Sequence, residues 1–361
     1  MNMQDHLQKL VNYYPVSSRQ EHVLQLLEYV KKYVHKYKLY TEILEYNGVY
    51  NLYASTRPAK HNRILLQGHI DVVPAKNQPF SVSNGRFYGR GTYDMLFATA
   101  CYLRLCDDLN DQLQQYDIGF MLSGDEEVGG FNGVGKFLED GYTADVCILP
   151  DAGEGYGSLN VAAKGIATHS IRVYGKSHHG SRPWEGDGAG SKLVHFLAEA
   201  EGIFDPSDQS NSTMTIAMIS AGHADNQGPS YADATLDVRY KDKADLSRIQ
   251  QAIDRLLKKY DGKVQELIEG DDYQLDLSNG YVKSFIELYK KQSGQELNFT
   301  KAHGSSDARF FSALNIPVIM LRPDGGGAHG DNEWISIEGI EKFYQLLKEY
   351  ILKTATIGDK S

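Results

Sequence analysis

Three short apolar runs, "RILLQGHI" at 63–70, "YDIGFMLS" at 116–123 and "ADVCILPD" at 144–151, constrain the fold of this chain more than any other feature. Each is too short for a typical helix, reads as a buried strand and runs straight into a turn. Between them, "DMLFATACYLRLCDDL" and residues 133–138 have helical character, and residues about 3–13 and 19–37 carry apolar positions at helical spacing. Strands that alternate with helices specify an α/β sheet covered on both faces. In such sheets, ligand-binding groups collect where strands end and loops begin.

Near Lys164 the pattern changes. "GIATHSIRVYG", "STMTIAMISAG" and "YADATLDVRYK" alternate as half-exposed strands do, and "GAGSKLVHFLAEAEGIF" and "ADLSRIQQAIDRLLKKY" have helical periodicity. After residue 280 the α/β texture returns, with helices "YVKSFIELYKKQSG" and "DARFFSAL", the strand "IPVIMLR" and an amphipathic last helix "EGIEKFYQLLKEYI". A length of 361 residues exceeds what one core usually supports. We therefore expect a discontinuous α/β domain, 1–163 and 280–361, with a small α+β domain, 164–279, inserted into it.

Charge and cysteine usage narrow the function class. A net charge of −10 with no basic stripe argues against nucleic-acid binding. No apolar stretch approaches the roughly 20 residues of a membrane span, and "MNMQDHLQKL" lacks the features of a signal peptide. Cys101, Cys106 and Cys147 follow no CxxC spacing and read as buried free thiols of a reducing compartment. The expected setting is cytoplasmic.

The polar residues at the predicted strand ends carry the chemistry. "GHIDVVP" supplies His69 and Asp71, whose HxD spacing puts both side chains on one face of an extended segment. "GRGTYDM" supplies Asp94, "GDEEVGG" supplies Glu126 and Glu127 beside Asp125, "ILPDAG" supplies Asp151 and "GGGAHGDNEW" supplies His329. Each has a bland reading alone: a hydrogen-bonded pair for HxD, a solvated loop for the acids, a helix N-cap for Asp94, a turn residue for His329. Together, two imidazoles and several carboxylates without thiolates suit a borderline divalent ion, zinc above all, with cobalt or manganese as alternatives. Adjacent acids at the end of a buried strand then have a compensating charge. A pair of ions about 3.5–4 Å apart would polarise a carbonyl and activate water, with one carboxylate bridging and another accepting a proton. The chain contains no GxSxG, which disfavours a serine hydrolase.

The motifs "GHIDVVPA", "GRGTYDM", "GDEEVGG", "PDAG", "GKSHHGSRP", "GSSDARFF" and "AHGDNEWISI", in this order along nearly the whole chain, resemble those of the di-zinc peptidase and deacylase family. That family includes acetylornithine deacetylase, succinyl-diaminopimelate desuccinylase, aminoacylase and glutamate carboxypeptidases. The resemblance implies a zinc-exopeptidase-like catalytic domain with a mixed sheet between helices, plus an inserted α+β lid and dimerisation domain that forms a homodimer. It implies two divalent ions: Asp94 bridging, His69 and Asp151 on one ion, Glu127 and His329 on the other. Asp71 would orient His69, Glu126 would be the general base, and the peptide bond after Asp94 would be cis. From the lid, His179 would stabilise the oxyanion in the partner subunit's site, and Asn226 and Arg239 would bind substrate. Ser305, Ser306 and Arg309 would line the cleft, Arg309 as a partner for a substrate carboxylate. The implied reaction is release of an amino acid from an N-acyl amino acid, with aminopeptidase or dipeptidase/carboxypeptidase cleavage of short peptides as the alternative. Two features depart from the family pattern. Leu96 and Phe97 replace the usual Lys-Gly after the bridging Asp-Met, and position 151 is Asp, as in the family's dipeptidases and tripeptidases, where most deacylases carry Glu.

Overall fold

The apolar runs assemble into a six-stranded mixed sheet in the order Tyr40–Tyr46, Val49–Ser55, Ile118–Ser123, His61–His69, Thr143–Ile148, Val318–Ile319. The structure, a computed structural model, describes residues 1–358 apart from 77, 303 and 305. The last four strands of the sheet run parallel, and Val49–Ser55 runs antiparallel to Ile118–Ser123. Parallel neighbours need crossover connections, which Leu96–Leu109 and Val134–Glu139 supply here.

Burial explains the composition of these elements. Ile118–Ser123 is buried along its whole length, so its sequence is a continuous apolar run rather than an alternating one. Leu96–Leu109 is apolar nearly all round and packs on the His61–His69 strand. Leu96 and Phe97, the residues that depart from the family pattern, are both fully buried, and Phe97 meets Phe343 of the last helix edge to face at 5.8 Å between ring centroids. That helix, Ile337–Thr354, is capped by Ser336, whose hydroxyl oxygen accepts from the Gly339 N–H at 3.0 Å.

Register then sets up the site. His69 is paired with Ser123 across two parallel strands, so the turn carrying Asp125, Glu126 and Glu127 begins level with His69. The neighbouring strand Thr143–Ile148 points the same way and leads into Asp151.

Contacts divide the chain into two units, Met1–Val161 with Leu275–Thr300 and Ser306–Ser361, and Ala162–Gln274 with Lys301–Ser305. In the second unit an antiparallel sheet has the order Thr213–Ala221, Tyr231–Tyr240, Gly165–Tyr174, Gly262–Gly270. Its inner strands alternate between buried and half-buried positions, and Leu193, Phe196, Ile249 and Ile253 of two helices pack in one core with Ile171, Val173, Leu236 and Val238. The edge strand Thr213–Ala221 departs from the expected alternation: the register shifts between Ile216 and Met218, and Met218 and Ile219 are 69% and 62% exposed. Among the described residues, no helix is long and apolar enough to cross a membrane.

The sheet tolerates little extra volume at the end away from the site. A Cβ at Gly119 would sit 2.2 Å from Asn62 Oδ1, which already accepts from Tyr53 Oη at 2.5 Å while the Asn62 amide donates to Asp117 Oδ1 at 3.1 Å. Gly119→Ala should therefore lower stability by about 1–3 kcal/mol, the usual range for overpacking. An unchanged urea midpoint for this variant would contradict the account.

Candidate metal centre

Five side chains converge beyond the ends of the parallel strands. His69, Asp94 and Asp151 form one group, and Asp94, Glu127 and His329 a second, with the ligand-capable atoms of each group within 4.8 Å of one another. Asp94 belongs to both and turns a different oxygen to each: Oδ1 is 3.3 Å from His69 Nε2, and Oδ2 is 3.2 Å from His329 Nε2. His69 Nε2 also lies 3.7 Å from Asp151 Oδ1, and His329 Nε2 lies 2.9 Å from Glu127 Oε2. The two groups differ in access. The His69 side chain is fully buried, while that of His329, on a residue with φ of 61°, is 57% exposed.

Asp94 is not a helix cap. Met95 occupies the N-cap position of Leu96–Leu109, and the Asp94–Met95 peptide bond is cis. The Asp94 N–H donates to Glu333 Oε1 at 3.0 Å, leaving its carboxylate for the two imidazoles.

Asp71 holds the remaining pieces. Its backbone carbonyl lies 2.9 Å from His69 Nδ1, closer than its own carboxylate at 3.6 Å, so the main chain is the nearer partner of the imidazole and the side chain a second one. Its buried carboxylate accepts from the Glu126 and Glu127 N–H groups at 3.2 and 3.3 Å and from the Ser17 hydroxyl at 2.8 Å. Gln20 braces the same turn, donating to the Gly124 carbonyl at 2.9 Å. Asp125 faces away from the centre: its Oδ2 accepts from Asn132 N–H at 2.8 Å, and a Cβ at Gly133 would fall 2.3 Å from its Oδ1.

The electrostatics identify what the centre lacks within the chain. Burial pushes Glu127 up to about 7, with Asp94 also raising it, and burial followed by the Asp151 charge lifts Glu126 well above its ordinary value. Burial raises Asp151 too. Burial would lower the His69 pKa, yet hydrogen bonds to Asp151, Asp71 and Asp94 hold it well above the usual imidazole range. Asp94, despite its burial, is held low by hydrogen bonds from His329 and His69. Carboxylates in this state call for added positive charge, and the donor set of imidazole nitrogens and carboxylate oxygens fits divalent ions of the zinc type.

The other expected residues fall into two sets. In the first unit, Ser306 is buried with its hydroxyl 3.9 Å from Met320 Sδ, and Arg309 is buried, donating to the Gly129 carbonyl at 2.5 Å and stacked over Phe310 and Phe131. Arg309 thus grips the loop that follows Glu127. Ser305 lies outside the described residues. In the second unit, His178–His179 pairs with Gln227–Gly228, which brings His179 and Asn226 together, and Gly180 N–H donates to the Asn226 carbonyl at 2.6 Å. His179 is exposed, and its Nδ1 accepts from Ser181 N–H at 3.1 Å. The His178 ring is packed against Gly228 instead, which leaves His179 as the freer imidazole. Arg239 sits on an inner strand in a two-pronged pair with Asp237, at 2.9 and 3.0 Å.

Sequence reasoning did not single out Ser17, Gln20, Arg90 or Glu333. Their types and spacing carry no chemical signal, because each acts through groups of distant segments that only the fold brings near.

Over residues 65–353 the sequence matches Peptidase family M20/M25/M40. The chain belongs to this family. It is 27% identical to a succinyl-diaminopimelate desuccinylase of Sulfurovum sp. (strain NBC37-1), over 97% of this chain and 98% of that relative. A succinyl-diaminopimelate desuccinylase of Rickettsia bellii (strain OSU 85-389) is 25% identical over 92% of each chain. In structure it resembles a tripeptidase of Staphylococcus aureus subsp. aureus Mu50, with a TM-score of 0.81 and 20% identity over 98% of this chain and 97% of that one. An M20 family metallo-carboxypeptidase of Sulfolobus solfataricus gives 0.77 and 18%, over 97% and 99%. The two-part α/β architecture expected from the sequence is thus the architecture of the family. The protein is a metallohydrolase whose family works with divalent metal ions.

Because Glu127 and both imidazoles must give up protons to bind a cation, metal affinity should rise with pH. With Glu127 at about 7, zinc affinity measured against a chromophoric chelator should fall most steeply between pH 7.5 and 6. A flat profile across that interval would count against the ligand assignment.

Proposed function

We propose that the protein hydrolyses the amide bond of an N-acyl amino acid, with two divalent ions, zinc by donor type, held by His69, Asp94 and Asp151 and by Asp94, Glu127 and His329. The observation that carries this reading is the division of Asp94, one oxygen toward each imidazole. Bound there, the ions supply Lewis acidity, which polarises the carbonyl and makes water acidic enough to attack near neutral pH.

The chain's own groups do the rest. Glu126, its N–H held by Asp71, takes a proton from the attacking water and returns it to the departing nitrogen. Oxygen adds to the carbonyl carbon, the C–N bond breaks, and a carboxylic acid and an amine leave. A base in this position benefits from the burial that raises Glu126, since a carboxylate of ordinary pKa would be a weaker base for the proton of the attacking water. His179 would donate to the oxyanion as it forms in the partner subunit's site, Asn226 of the same inserted unit would bind substrate, and Arg239 would meet a substrate carboxylate. Arg309, engaged by Gly129, Phe131 and Phe310, supports a role in holding the loop better than one in binding substrate.

The desuccinylase relatives favour a short dicarboxylic acyl group. Asp151 and the likeness to a tripeptidase favour a second reading, cleavage of short peptides on the same centre. Zinc-loaded protein assayed against N-succinyl-diaminopimelate, N-acetylornithine and a panel of di- and tripeptides separates the two readings. Glu126→Gln should lower kcat by at least 100-fold while both ions remain bound; near-normal turnover would remove Glu126 as the base.

The buried thiols Cys101, Cys106 and Cys147 are in keeping with a reducing, cytoplasmic setting. We further propose a homodimer through the inserted unit, supported by Met218 and Ile219 exposed on the edge strand Thr213–Ala221. Ile219→Asp should then shift sedimentation from dimer to monomer, whereas a wild-type monomer at micromolar concentration would end the idea.

A further inference from the structure

The geometry points to Glu333 as the residue that positions Asp94 and ties it to the His329 loop. The inference rests on the proposed metal ligands, but not on the substrate.

Glu333 is 1% exposed, and both of its oxygens are fully engaged. Oε1 accepts from Tyr93 N–H at 2.8 Å and Asp94 N–H at 3.0 Å; Oε2 accepts from Arg90 Nη1 at 2.5 Å and Gly91 N–H at 3.0 Å. An ionised carboxylate has about four lone-pair sites, and here four donors occupy them, so Glu333 has none left for a cation although it belongs to the acid-rich "HGDNEW" motif. Its backbone carbonyl also accepts from Gly89 N–H at 3.1 Å. Arg90, 3% exposed, completes the stitch by donating from Nη2 to the Gly330 carbonyl at 2.9 Å. Two segments are thereby joined: 89–94, which ends in Asp94, and 327–333, which contains His329. The short strands that flank the stitch, Arg86–Tyr88 and Trp334–Ser336, pair antiparallel and continue the connection.

The choice of Glu follows from these contacts. Three consecutive-region amides and a guanidinium point into one small buried volume, and only an acceptor with two oxygens and a full charge satisfies them. Ligand placement must be good to a few tenths of an ångström for tight metal binding, and partners that orient ligands commonly change affinity or activity by 10–100-fold when replaced. Asp94 faces both imidazoles, so a displacement of its backbone disturbs both ion positions at once. A residue that supported one ligand alone would weaken one ion only.

Glu333→Gln is nearly isosteric but turns an NH2 toward N–H donors. The test uses zinc alone, titrated into metal-free protein against a chromophoric chelator, together with the visible spectrum of the cobalt-loaded protein and the thermal midpoint of the metal-free form. With a thermal midpoint within a few degrees of wild type, we expect both zinc ions to bind at least 10-fold more weakly and the cobalt spectrum to change. At saturating metal, kcat should fall while KM stays within about twofold. Arg90→Lys, which keeps the charge but loses the fork that reaches Gly330, should show the same effect to a smaller degree. Wild-type zinc affinity and an unchanged cobalt spectrum in a folded Glu333→Gln protein would overturn the inference. If that variant does not fold, wild-type zinc affinity in Arg90→Lys would overturn it instead. Failure of the amide-hydrolysis reading is recognised separately, as a wild-type protein that binds zinc normally yet cleaves none of the amides tested.

Discussion

Burial of carboxylates, compounded by their mutual repulsion, is the constraint around which this molecule is organised. Asp71, Asp94, Glu126, Glu127 and Asp151 all approach one point beyond the sheet, and the rise of Glu127 to about 7 corresponds to roughly 3 kcal/mol of resistance to ionisation. That exceeds the ~1 kcal/mol net contribution of an ordinary hydrogen bond. Hydrogen bonds therefore relieve only part of the strain, and they do so selectively. Asp71 is satisfied by two amides and a hydroxyl, and Glu333 by three amides and an arginine. Among the described residues the acids nearest the imidazoles, Asp94, Glu127 and Asp151, have the imidazoles themselves as side-chain partners, in keeping with the proposed role in holding cations.

Asp71 and Glu333 play parallel parts on two different loops of the centre. Each is a buried carboxylate that spends its lone pairs on backbone N–H groups of a ligand-bearing loop, Asp71 on the 126–127 turn and Glu333 on the 91–94 loop. Arg309 adds a third hold on the loop that follows Glu127, through the Gly129 carbonyl and two phenylalanine rings.

Much of this was readable from the chain alone, and for definite reasons. A buried parallel strand has to be apolar throughout and has to end in a turn, so "YDIGFMLS" announced both the sheet and the place where acids would be exposed to a ligand. The helical period of "EGIEKFYQLLKEYI" followed from one buried face. What could not be read depended on contacts between distant segments. Arg309 has the chemistry of a carboxylate receptor, and only its packing between Phe131 and Phe310 redirects it to the loop. The HxD spacing suggested a side-chain bond from Asp71 to His69, whereas the backbone carbonyl is the closer group, a difference decided by how the chain leaves the strand. The bulge after Ile216 breaks the alternation of an otherwise regular edge strand, and nothing in "STMTIAMISAG" marks its position.

The proposed ligands of the centre are far apart in sequence, from His69 to His329, with the second unit lying between Asp151 and His329. During synthesis, therefore, the segment that contributes His69, Asp94, Glu127 and Asp151 leaves the ribosome well before the segment that contributes His329 and Glu333. Domains tend to fold as they emerge, so the inserted unit can be complete while the first unit still lacks its last strand and helix. Until then the acids stand without the Arg90–Glu333 stitch, and the order of translation itself keeps the centre from closing before the rest of the protein exists.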